Sequence, residues 1–203
     1  MLELRDFRLY SGDNPLVYAD NLRLPPGRLY LVVGANSVGK TLLLQSLCNE
    51  YRAWDGDITL KDESIATRKS IFIEKTPHLL PDETIWRNLV IPLPRLTERL
   101  KARLVELAGE AGVADSIKRK AGYLSSSSSK FVELIRAVAQ LPHLILFDDI
   151  DHAFDEENLT HALRICRYAS GAGTIVLASA SRPLPGFDAV LRIHDGRLEG
   201  DDA

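Results

Sequence analysis

The sequence predicts an α/β fold built on a mainly parallel central sheet. Two apolar runs, Leu29–Val33 and Leu144–Phe147, have the length and composition of buried strands, and residues 174–178 form a third run of this kind. Segments with helical spacing, such as residues 131–141 and 159–168, separate or follow these runs. Strands that alternate with helices favour parallel pairing, because a helix provides the crossover between neighbouring parallel strands.

The first 24 residues have a different pattern. Residues 2–9 alternate apolar and polar side chains, which is typical of a half-buried strand. Residues 11–15 form a predicted turn, and residues 16–24 a second strand that ends at Pro25-Pro26-Gly27. We therefore expect an N-terminal antiparallel β region. Short strands are also predicted at residues 58–60, after a turn at residues 55–57, and at residues 71–73, and a terminal hairpin turns at Asp195-Gly196.

A helix-patterned stretch lies between the predicted strands of the sheet. Residues 84–122 carry apolar side chains at helical spacing, and Pro92 and Pro94 interrupt the pattern. The predicted organisation is one domain spanning residues 1–203, with a small helical subdomain inserted at about residues 84–140.

Composition narrows the function classes. The chain has 203 residues, 45% of them hydrophobic, and a formal net charge of −3. This charge gives no electrostatic argument for nucleic acid, so no nucleic-acid partner is expected.

No apolar stretch approaches 18 residues and the N-terminus does not resemble a signal peptide, which predicts a cytoplasmic location. Cys48 and Cys166 lie in apolar helical patterns, and we expect buried, reduced thiols.

One motif determines the expected ligand class. Residues 34–41 match the phosphate-binding pattern G-x-x-x-x-G-K-[ST], between a predicted strand and a predicted helix, as this motif requires. Its residues are Gly34, Ala35, Asn36, Ser37, Val38, Gly39, Lys40 and Thr41. The backbone N–H groups of such a loop and the helix N-terminus bind phosphate oxygens. Lys40 is expected to reach the β- and γ-phosphates and Thr41 to ligate Mg²⁺, which predicts a P-loop NTPase.

A second metal ligand is expected at Asp148. It follows the apolar run Leu144–Phe147, so it would stand at the carboxyl end of a central strand, where open α/β sheets bind their ligands. The predicted metal set is Thr41 and Asp148, which would hold Mg²⁺ beside a nucleoside triphosphate.

The order of these motifs resembles an ABC transporter ATPase subunit over nearly the whole chain. The segments 80–82 and 88–93 look most like the small ATPases of lipoprotein, lipid or cell-division systems. The resemblance implies that Tyr10 stacks on adenine and that Asp155 belongs to a loop crossing the interface between two subunits. It also implies two partners, a second ATP-binding subunit and an integral membrane subunit, at the inner face of a membrane.

Four positions depart from the pattern of that family. Its signature Leu-Ser-Gly-Gly-Gln reads Leu124-Ser125-Ser126-Ser127-Ser128 here. Ser125 is retained, but side chains replace the glycines that approach the γ-phosphate of the opposite subunit's ATP. A helix start at these serines is expected, and the alternative is a flexible five-serine linker.

The other departures lie around the reacting phosphate. By resemblance, Lys75 replaces a metal-ligating Gln, Asp149 a catalytic Glu, and Ala180 a His that contacts the γ-phosphate. Asp is one methylene shorter than Glu, protonated lysine cannot ligate Mg²⁺, and alanine has no donor. Lys75 could instead contact the γ-phosphate, Arg182 could compensate for Ala180, and Glu74 is an alternative metal ligand if the register shifts by one.

These observations support three hypotheses. The first is an ABC-type subunit that binds Mg-ATP at a dimer interface, to drive or regulate a membrane subunit, with weak or absent hydrolysis. The second is a working ATPase in which Asp149, Lys75 and Arg182 rebuild the site. The third is an interaction module that has kept the fold without transport. In the first two, residues of about 75–88 would bind the membrane subunit, with Leu79 and Trp86 either as anchors or as core residues.

Overall fold

The computed structural model describes residues 1–65 and 70–200. Residues 66–69 and 201–203, which fall within the predicted domain range of 1–203, lie outside this description. The strands that the described residues form are β1 (Leu2–Ser11), β2 (Asn14–Leu24), β3 (Leu29–Val33), β4 (Trp54–Leu60), β5 (Glu63–Ser64), β6 (Ser70–Ile73), β7 (Leu144–Phe147), β8 (Ile175–Ala180), β9 (Ala189–His194) and β10 (Arg197–Gly200). The α-helices are α1 (Lys40–Leu47), α2 (Ile85–Val90), α3 (Glu98–Glu110), α4 (Ser126–Val138), α5 (Ile150–Ala153) and α6 (Glu156–Gly171).

The strands form one sheet in the order β5-β4-β1-β2-β10-β9-β3-β8-β7-β6. From β9 to β6 every neighbouring pair is parallel, whereas β5, β4, β1 and β2 pair antiparallel. The predicted parallel sheet with an N-terminal antiparallel β region is therefore confirmed. The parallel part places the carboxyl ends of β3, β7 and β8 at one edge, and the candidate site lies there.

Side chains of the central strands alternate between two cores. In β3, Leu29, Leu31 and Val33 pack with the helices α3, α4 and α6, while Tyr30 and Val32 pack on the opposite face with α1 and the N-terminal strands. This alternation follows from the two-residue period of a strand. Because both faces of β3 are covered by apolar side chains, the strand holds the loop that follows it on a fixed support.

The turn predicted at residues 55–57 is wrong. These residues belong to β4, which pairs with β1, and the register shifts between Arg5 and Arg8. Gly56 has φ 91° at this irregularity, and a Cβ there would lie 2.5 Å from the carbonyl oxygen of Asp6. The glycine therefore allows a close approach of two backbones within the sheet rather than a chain reversal.

Helices occupy the segment between β6 and β7, as the pattern predicted. Besides α2, α3 and α4, this segment has 3₁₀ turns at Ala114–Ser116 and Ala121–Tyr123. α4 begins at Ser126 rather than at residue 131, because Ser125 accepts a hydrogen bond from the backbone N–H of Ser128, 3.2 Å away. The expected helix start at the serines is confirmed, and the flexible linker is excluded. The boundaries of about 84–140 for a subdomain stay a prediction.

Two further findings concern membrane spanning and the thiols. Among the described residues, no helix combines the length and the apolar character needed to cross a bilayer. Cys166 is buried and Cys48 half-buried, and both thiols are reduced. Burial raises the pKa of each thiol to about 12, so neither is an effective nucleophile near neutral pH.

Candidate nucleotide-binding site

The phosphate-binding loop lies between β3 and α1, where the motif predicted it. Residues 34–39 form the loop and Lys40 is the first residue of α1. Gly39 precedes the helix in the left-handed region with φ 102°, which a glycine adopts without strain. Ser37 lies in the same left-handed region, with φ 66°. A non-glycine residue in this region lowers the free energy of unfolding by about 1 kcal/mol, so the rest of the fold must stabilise this loop conformation.

The Lys40 ammonium is buried and donates to carbonyl oxygens of its own loop. Its Nζ donates to the carbonyl oxygens of Gly34, at 2.8 Å, and Ala35, at 3.0 Å. Only 6% of the residue is exposed, and no salt bridge to it is found among residues 1–65 and 70–200. A buried cation without a counter-ion is unfavourable on its own. It suits a site that receives an anion, such as a nucleotide phosphate.

Thr41 and Asp148, the two predicted metal ligands, are in contact. Thr41 Oγ1 donates to Asp148 Oδ2 at 2.8 Å, and Ser179 Oγ donates to Asp148 Oδ1 at 2.7 Å. Ser179, which is fully buried in β8, also accepts a hydrogen bond from the backbone N–H of Asp149 at 2.9 Å. A carboxylate with a neighbouring hydroxyl is a set of hard oxygen ligands of the kind that Mg²⁺ prefers, so these residues fit the metal.

Lys75 and Asp149 form an ion pair across the site. Lys75 Nζ lies 3.3 Å from Asp149 Oδ2, and 61% and 22% of the two side chains are exposed. Asp149 has φ 49°, so the backbone turns sharply after β7 and directs the chain into α5. The ammonium thus occupies the surroundings of the carboxylate that the resemblance assigns to catalysis. Glu74, the alternative ligand, instead pairs with His78, with 3.3 Å between Oε2 and Nε2.

A pocket of about 420 Å³ joins the phosphate-binding loop to the ion pair. Its lining residues are Ser11, Leu16, Asn36, Ser37, Gly39, Lys40, Thr41, Leu42, Lys75, Asp149 and His152. The structure thus brings together most of the loop, Lys75 and Asp149. Tyr10 does not line the pocket, but it immediately precedes Ser11 at the end of β1 and is half-buried.

The other predicted site residues lie apart from this pocket. Ser125 and Ser126 are exposed at the start of α4, and Ser127 follows in its first turn. Asp155 is exposed and caps α6 by accepting a hydrogen bond from the N–H of Asn158 at 2.9 Å. None of these four residues lines the chain's own pocket.

No side-chain donor is present where the resemblance expected one. Ala180 ends β8, is fully buried and pairs with Val33 of β3. Arg182, considered as a substitute, is exposed and is absent from the pocket lining.

Sequence reasoning missed two features of the site, Ser179 and the turn formed by Asp151 and His152. Asp151 Oδ2 accepts hydrogen bonds from Ser181, 2.9 Å from its backbone N and 2.5 Å from its Oγ. Burial alone would raise the pKa of Asp151, but the hydrogen bonds from Ser181 hold this pKa below its usual value. One ligand atom from each of Asp149, Asp151 and His152 lies within 4.8 Å of the others. A serine within an otherwise apolar strand was the available signal for Ser179.

Comparison with known proteins assigns the family. A model described as ABC transporter matches residues 18–151, which is more than half of the chain. The chain belongs to the ABC transporter family. This match includes the phosphate-binding loop, Lys75 and the turn after β7.

Three curated members of the ABC transporter family are similar to this chain at 27–28% identity. The lipoprotein-releasing system ATP-binding protein LolD of Novosphingobium aromaticivorans is 28% identical over 197 residues, 88% of each chain. The aliphatic sulfonates import ATP-binding protein SsuB of Rhodopseudomonas palustris is 27% identical over 208 residues, 98% of this chain and 73% of that protein. The macrolide export ATP-binding/permease protein MacB of Nitrosomonas europaea is 28% identical over 224 residues. That alignment covers 99% of this chain but 34% of MacB, so the chain spans about a third of this relative's length.

Solved structures of ABC transporter proteins have the same fold. An ATP-binding subunit of an ABC transporter superposes with a TM-score of 0.83 at 18% identity, covering 98% of this chain and 88% of that one. An ATP-binding cassette in its ADP conformation gives a TM-score of 0.81 at 18% identity, with 98% and 89% covered. The predicted P-loop NTPase fold is therefore confirmed.

Proposed function

We propose that this chain is the ATP-binding subunit of an ABC transporter-type membrane complex, and that it binds Mg-ATP between two such subunits with weak or absent hydrolysis. The observation that carries nucleotide binding is Lys40. Its ammonium is buried at the base of a backbone loop, with two carbonyl oxygens as its only partners in the described part of the chain. A nucleotide phosphate supplies the missing negative charge, and the N–H groups of the loop and of α1 add donors.

Mg²⁺ would be held by Thr41 and Asp148, where it would neutralise charge on the nucleotide phosphates. The Thr41 hydroxyl and the Asp148 carboxylate already contact each other at 2.8 Å, so both oxygens face the same point. Ser179 fixes the second oxygen of the carboxylate through its hydroxyl, which limits rotation of the Asp148 side chain. The role of this chain's residues is thus to pre-position ligands beside the phosphate-binding loop.

Weak hydrolysis is proposed from three positions around the pocket. Asp149 is the available base, and its carboxylate is paired with Lys75. The Lys75 ammonium lies 3.3 Å from Oδ2 of Asp149, so it competes with an attacking water for this oxygen. Ala180 offers no hydrogen-bond donor to the γ-phosphate. Removing one donor to developing charge typically costs about 3 kcal/mol of transition-state stabilisation.

A second subunit is proposed because Ser125, Ser126 and Asp155 are exposed to solvent and do not line the chain's own pocket. In a two-subunit site they would complete the pocket of the other chain. Ser126 and Ser127 would bring Cβ and hydroxyl groups to the γ-phosphate where the family has glycine, which weakens that contact. A homodimer would carry these changes in both sites.

A membrane subunit is proposed as the other partner. Leu79 and Trp86 are partly buried against the core, whereas Leu80 and Ile91 expose 44% and 46% of their surface nearby in the sequence. Apolar side chains left exposed on this segment suit contact with another protein. Asn88 holds the segment by accepting from the N–H of Leu80 at 2.8 Å and donating to its carbonyl oxygen at 3.0 Å. The chain would then work at the cytoplasmic face of the membrane.

Nucleotide binding is tested by thermal unfolding of the purified chain with ATP and Mg²⁺. A ligand selective for the native state raises the unfolding temperature. We expect a shift in the wild type, none in Lys40→Ala, and loss of the Mg²⁺-dependent part in Thr41→Val. Lys101→Ala, which removes an exposed lysine paired with Glu98 on α3, is the matched control and should keep the full shift. A wild-type chain without any shift would contradict the proposal and favour an interaction module that does not use ATP.

The active-ATPase alternative has its own test. If Asp149 and Lys75 rebuild a working site, phosphate release should be clear in the wild type and lost in Asp149→Asn. Release that is unaffected by Asp149→Asn would count against this alternative.

A further inference from the structure

The geometry points to His152 as the residue that contacts the γ-phosphate of bound ATP in place of the donor that Ala180 lacks, with Asp151 orienting its imidazole. This inference rests on the proposed nucleotide-binding function. His152 lines the pocket that also contains Lys40, Thr41 and Asp149, and 56% of its side chain is exposed to that open space and to solvent.

The turn after β7 places His152 at the site. Asp149 adopts φ 49°, and the backbone N–H of His152 donates to the carbonyl oxygen of Asp149 at 3.0 Å. This hydrogen bond folds the chain back within three residues, so the imidazole comes to the same side as the Asp149 carboxylate. The ligand atoms of Asp149, Asp151 and His152 consequently lie within 4.8 Å of one another.

Asp151 has an oxygen available to hold the imidazole. Its side chain is 8% exposed, and its Oδ2 accepts hydrogen bonds from the backbone N–H and the hydroxyl of Ser181. In the described part of the chain Oδ1 is buried and has no hydrogen-bond partner, and it lies 3.6 Å from Nδ1 of His152. A small rotation of the ring brings Nδ1–H within hydrogen-bond distance, which directs Nε2 away from Asp151. A carboxylate that fixes one imidazole nitrogen in this way presents the other to a ligand.

The Asp151 carboxylate also connects His152 to the end of β8, where Ala180 has no side-chain donor. Ser181, which donates twice to Asp151, directly follows Ala180. The short helix α5 packs against β8. The imidazole therefore belongs to the turn that packs against the end of β8. From this position an imidazole N–H can donate a hydrogen bond to the γ-phosphate, in place of a side chain at position 180.

Discrimination between ATP and ADP tests this contact, because only ATP has a γ-phosphate. Affinities are measured for ADP and for a non-hydrolysable ATP analogue, each with Mg²⁺. We expect His152→Ala to weaken analogue binding about tenfold, the size of one charge-assisted hydrogen bond, and to leave ADP affinity within about twofold. His152→Gln, which retains an N–H donor, should recover part of the loss. His161→Ala is the matched control, since His161 also contacts a carboxylate, Glu110 at 2.8 Å, but does not line the pocket.

Asp151 is a positioning residue in this scheme, so its effect must pass through His152. Asp151→Asn should lose analogue affinity selectively, and the double variant Asp151→Asn/His152→Ala should lose no more than His152→Ala alone. A His152→Ala variant that weakens both nucleotides equally, or neither, overturns the inference. If the wild type binds neither nucleotide, the proposed function itself fails. Wild-type binding that depends on Lys40, with unchanged discrimination in His152→Ala, overturns this inference only.

Discussion

Lys75 Nζ lies 3.3 Å from Asp149 Oδ2, so a cation from the segment after β6 occupies the surroundings of the carboxylate that follows β7. Both side chains are partly solvent-exposed, and a pair of this kind contributes at most about 1 kcal/mol to stability. Its importance is chemical, because the Asp149 carboxylate lines the pocket and the ammonium lies where an attacking water would contact Oδ2.

Lys75→Gln should raise ATP turnover. The substitution removes the cation from Asp149 and introduces the residue type that the resemblance expects at this position, so Oδ2 of Asp149 becomes accessible to an attacking water. We expect phosphate release to rise about tenfold, which is less than the roughly 10²–10⁴-fold that a fully positioned base contributes. Lys101→Gln is the control and should leave turnover unchanged. Lys101 forms an exposed ion pair on α3, with 2.7 Å between its Nζ and Oε1 of Glu98. A fall in turnover would instead mean that Lys75 assists the reaction.

Ser179→Ala should destabilise the fold and weaken Mg²⁺-dependent nucleotide binding. The Ser179 hydroxyl is fully buried, donates to Asp148 and accepts from the Asp149 N–H, so its loss leaves two buried polar groups without this partner. We expect urea unfolding to show a loss of about 1–3 kcal/mol. Ser46→Ala removes an equally buried hydroxyl that, among the described residues, bonds to the Leu42 carbonyl alone, and it should cost less. Equal costs for the two variants would contradict the bridging role.

Lys130→Met should be strongly destabilising. Lys130 and Glu133 of α4 form a pair with 2.8 Å between Nζ and Oε2, and only 2% and 5% of their side chains are exposed. Lys130 Nζ also donates to the carbonyl oxygen of Glu74, and Glu133 accepts from the N–H of His78 at 2.6 Å. The pair therefore connects α4 to the segment that carries Lys75. Removing one partner of a buried pair costs about 3–5 kcal/mol. Glu133 keeps a second, longer contact with Arg136, 3.5 Å from its Oε1, so we expect a loss of about 3 kcal/mol, at the lower end of this range.

The matched exposed pair provides the control for this prediction. Lys101→Met, at the pair with Glu98 that has the same spacing on α3, should change the free energy of unfolding by less than about 0.5 kcal/mol. The double variant Lys130→Met/Glu133→Leu should be less destabilised than Lys130→Met alone. A Lys130→Met variant as stable as Lys101→Met would contradict the buried-pair account.

Asp188 should make stability depend on pH in the acidic range. Its Oδ2 accepts from Arg167 Nη1 at 2.6 Å and from the Leu29 N–H at 2.7 Å. The hydrogen bond from Arg167 lowers the pKa of Asp188, and the Leu29 N–H acts in the same direction. Because the folded pKa lies below the unfolded value of about 3.9, the stabilisation is present above that value. It is lost as pH falls through the folded pKa.

The difference in unfolding free energy between wild type and Asp188→Asn measures this contribution. We expect about 1 kcal/mol at pH 6, since solvent screens a carboxylate that is 29% exposed, and a smaller difference below about pH 4. Asp20→Asn, at a pair with Arg8 whose carboxylate is 55% exposed, should have a smaller effect at pH 6. A difference for Asp188→Asn that grows as the pH falls would contradict the assignment.

The sequence predicted the parts of the site that local pattern determines. The loop of residues 34–41 and Asp148 follow buried strands whose apolar runs are continuous, so the ends of β3 and β7 could be located from the chain alone. The start of α4 was predictable because Ser125 is a good helix cap. The glycine at residue 56 was misread as a turn because its role depends on the backbone of β1, some fifty residues away.

The remaining features depend on long-range contacts that no local pattern contains. Ser179 reaches Asp148 across 31 residues, and Ser181 reaches Asp151 across 30. Lys130 contacts the carbonyl of Glu74 across 56 residues. The contacts of Ser179 and Ser181 arise when parallel strands bring their ends to one edge, and the contact of Lys130 arises when α4 packs beside β6. The roles of His152 and Lys130 are therefore visible only in the folded chain.

We expect the chain to bind Mg-ATP through its phosphate-binding loop but to hydrolyse it weakly. Steady-state phosphate release by the purified chain with ATP and Mg²⁺ tests this most directly, with Lys40→Ala as the blank and ATP binding measured on the same preparation. The account predicts detectable binding with release at or close to the blank. Release far above the blank that disappears in Asp149→Asn would contradict it, and would mean that Asp149 and its neighbours form a fully active site.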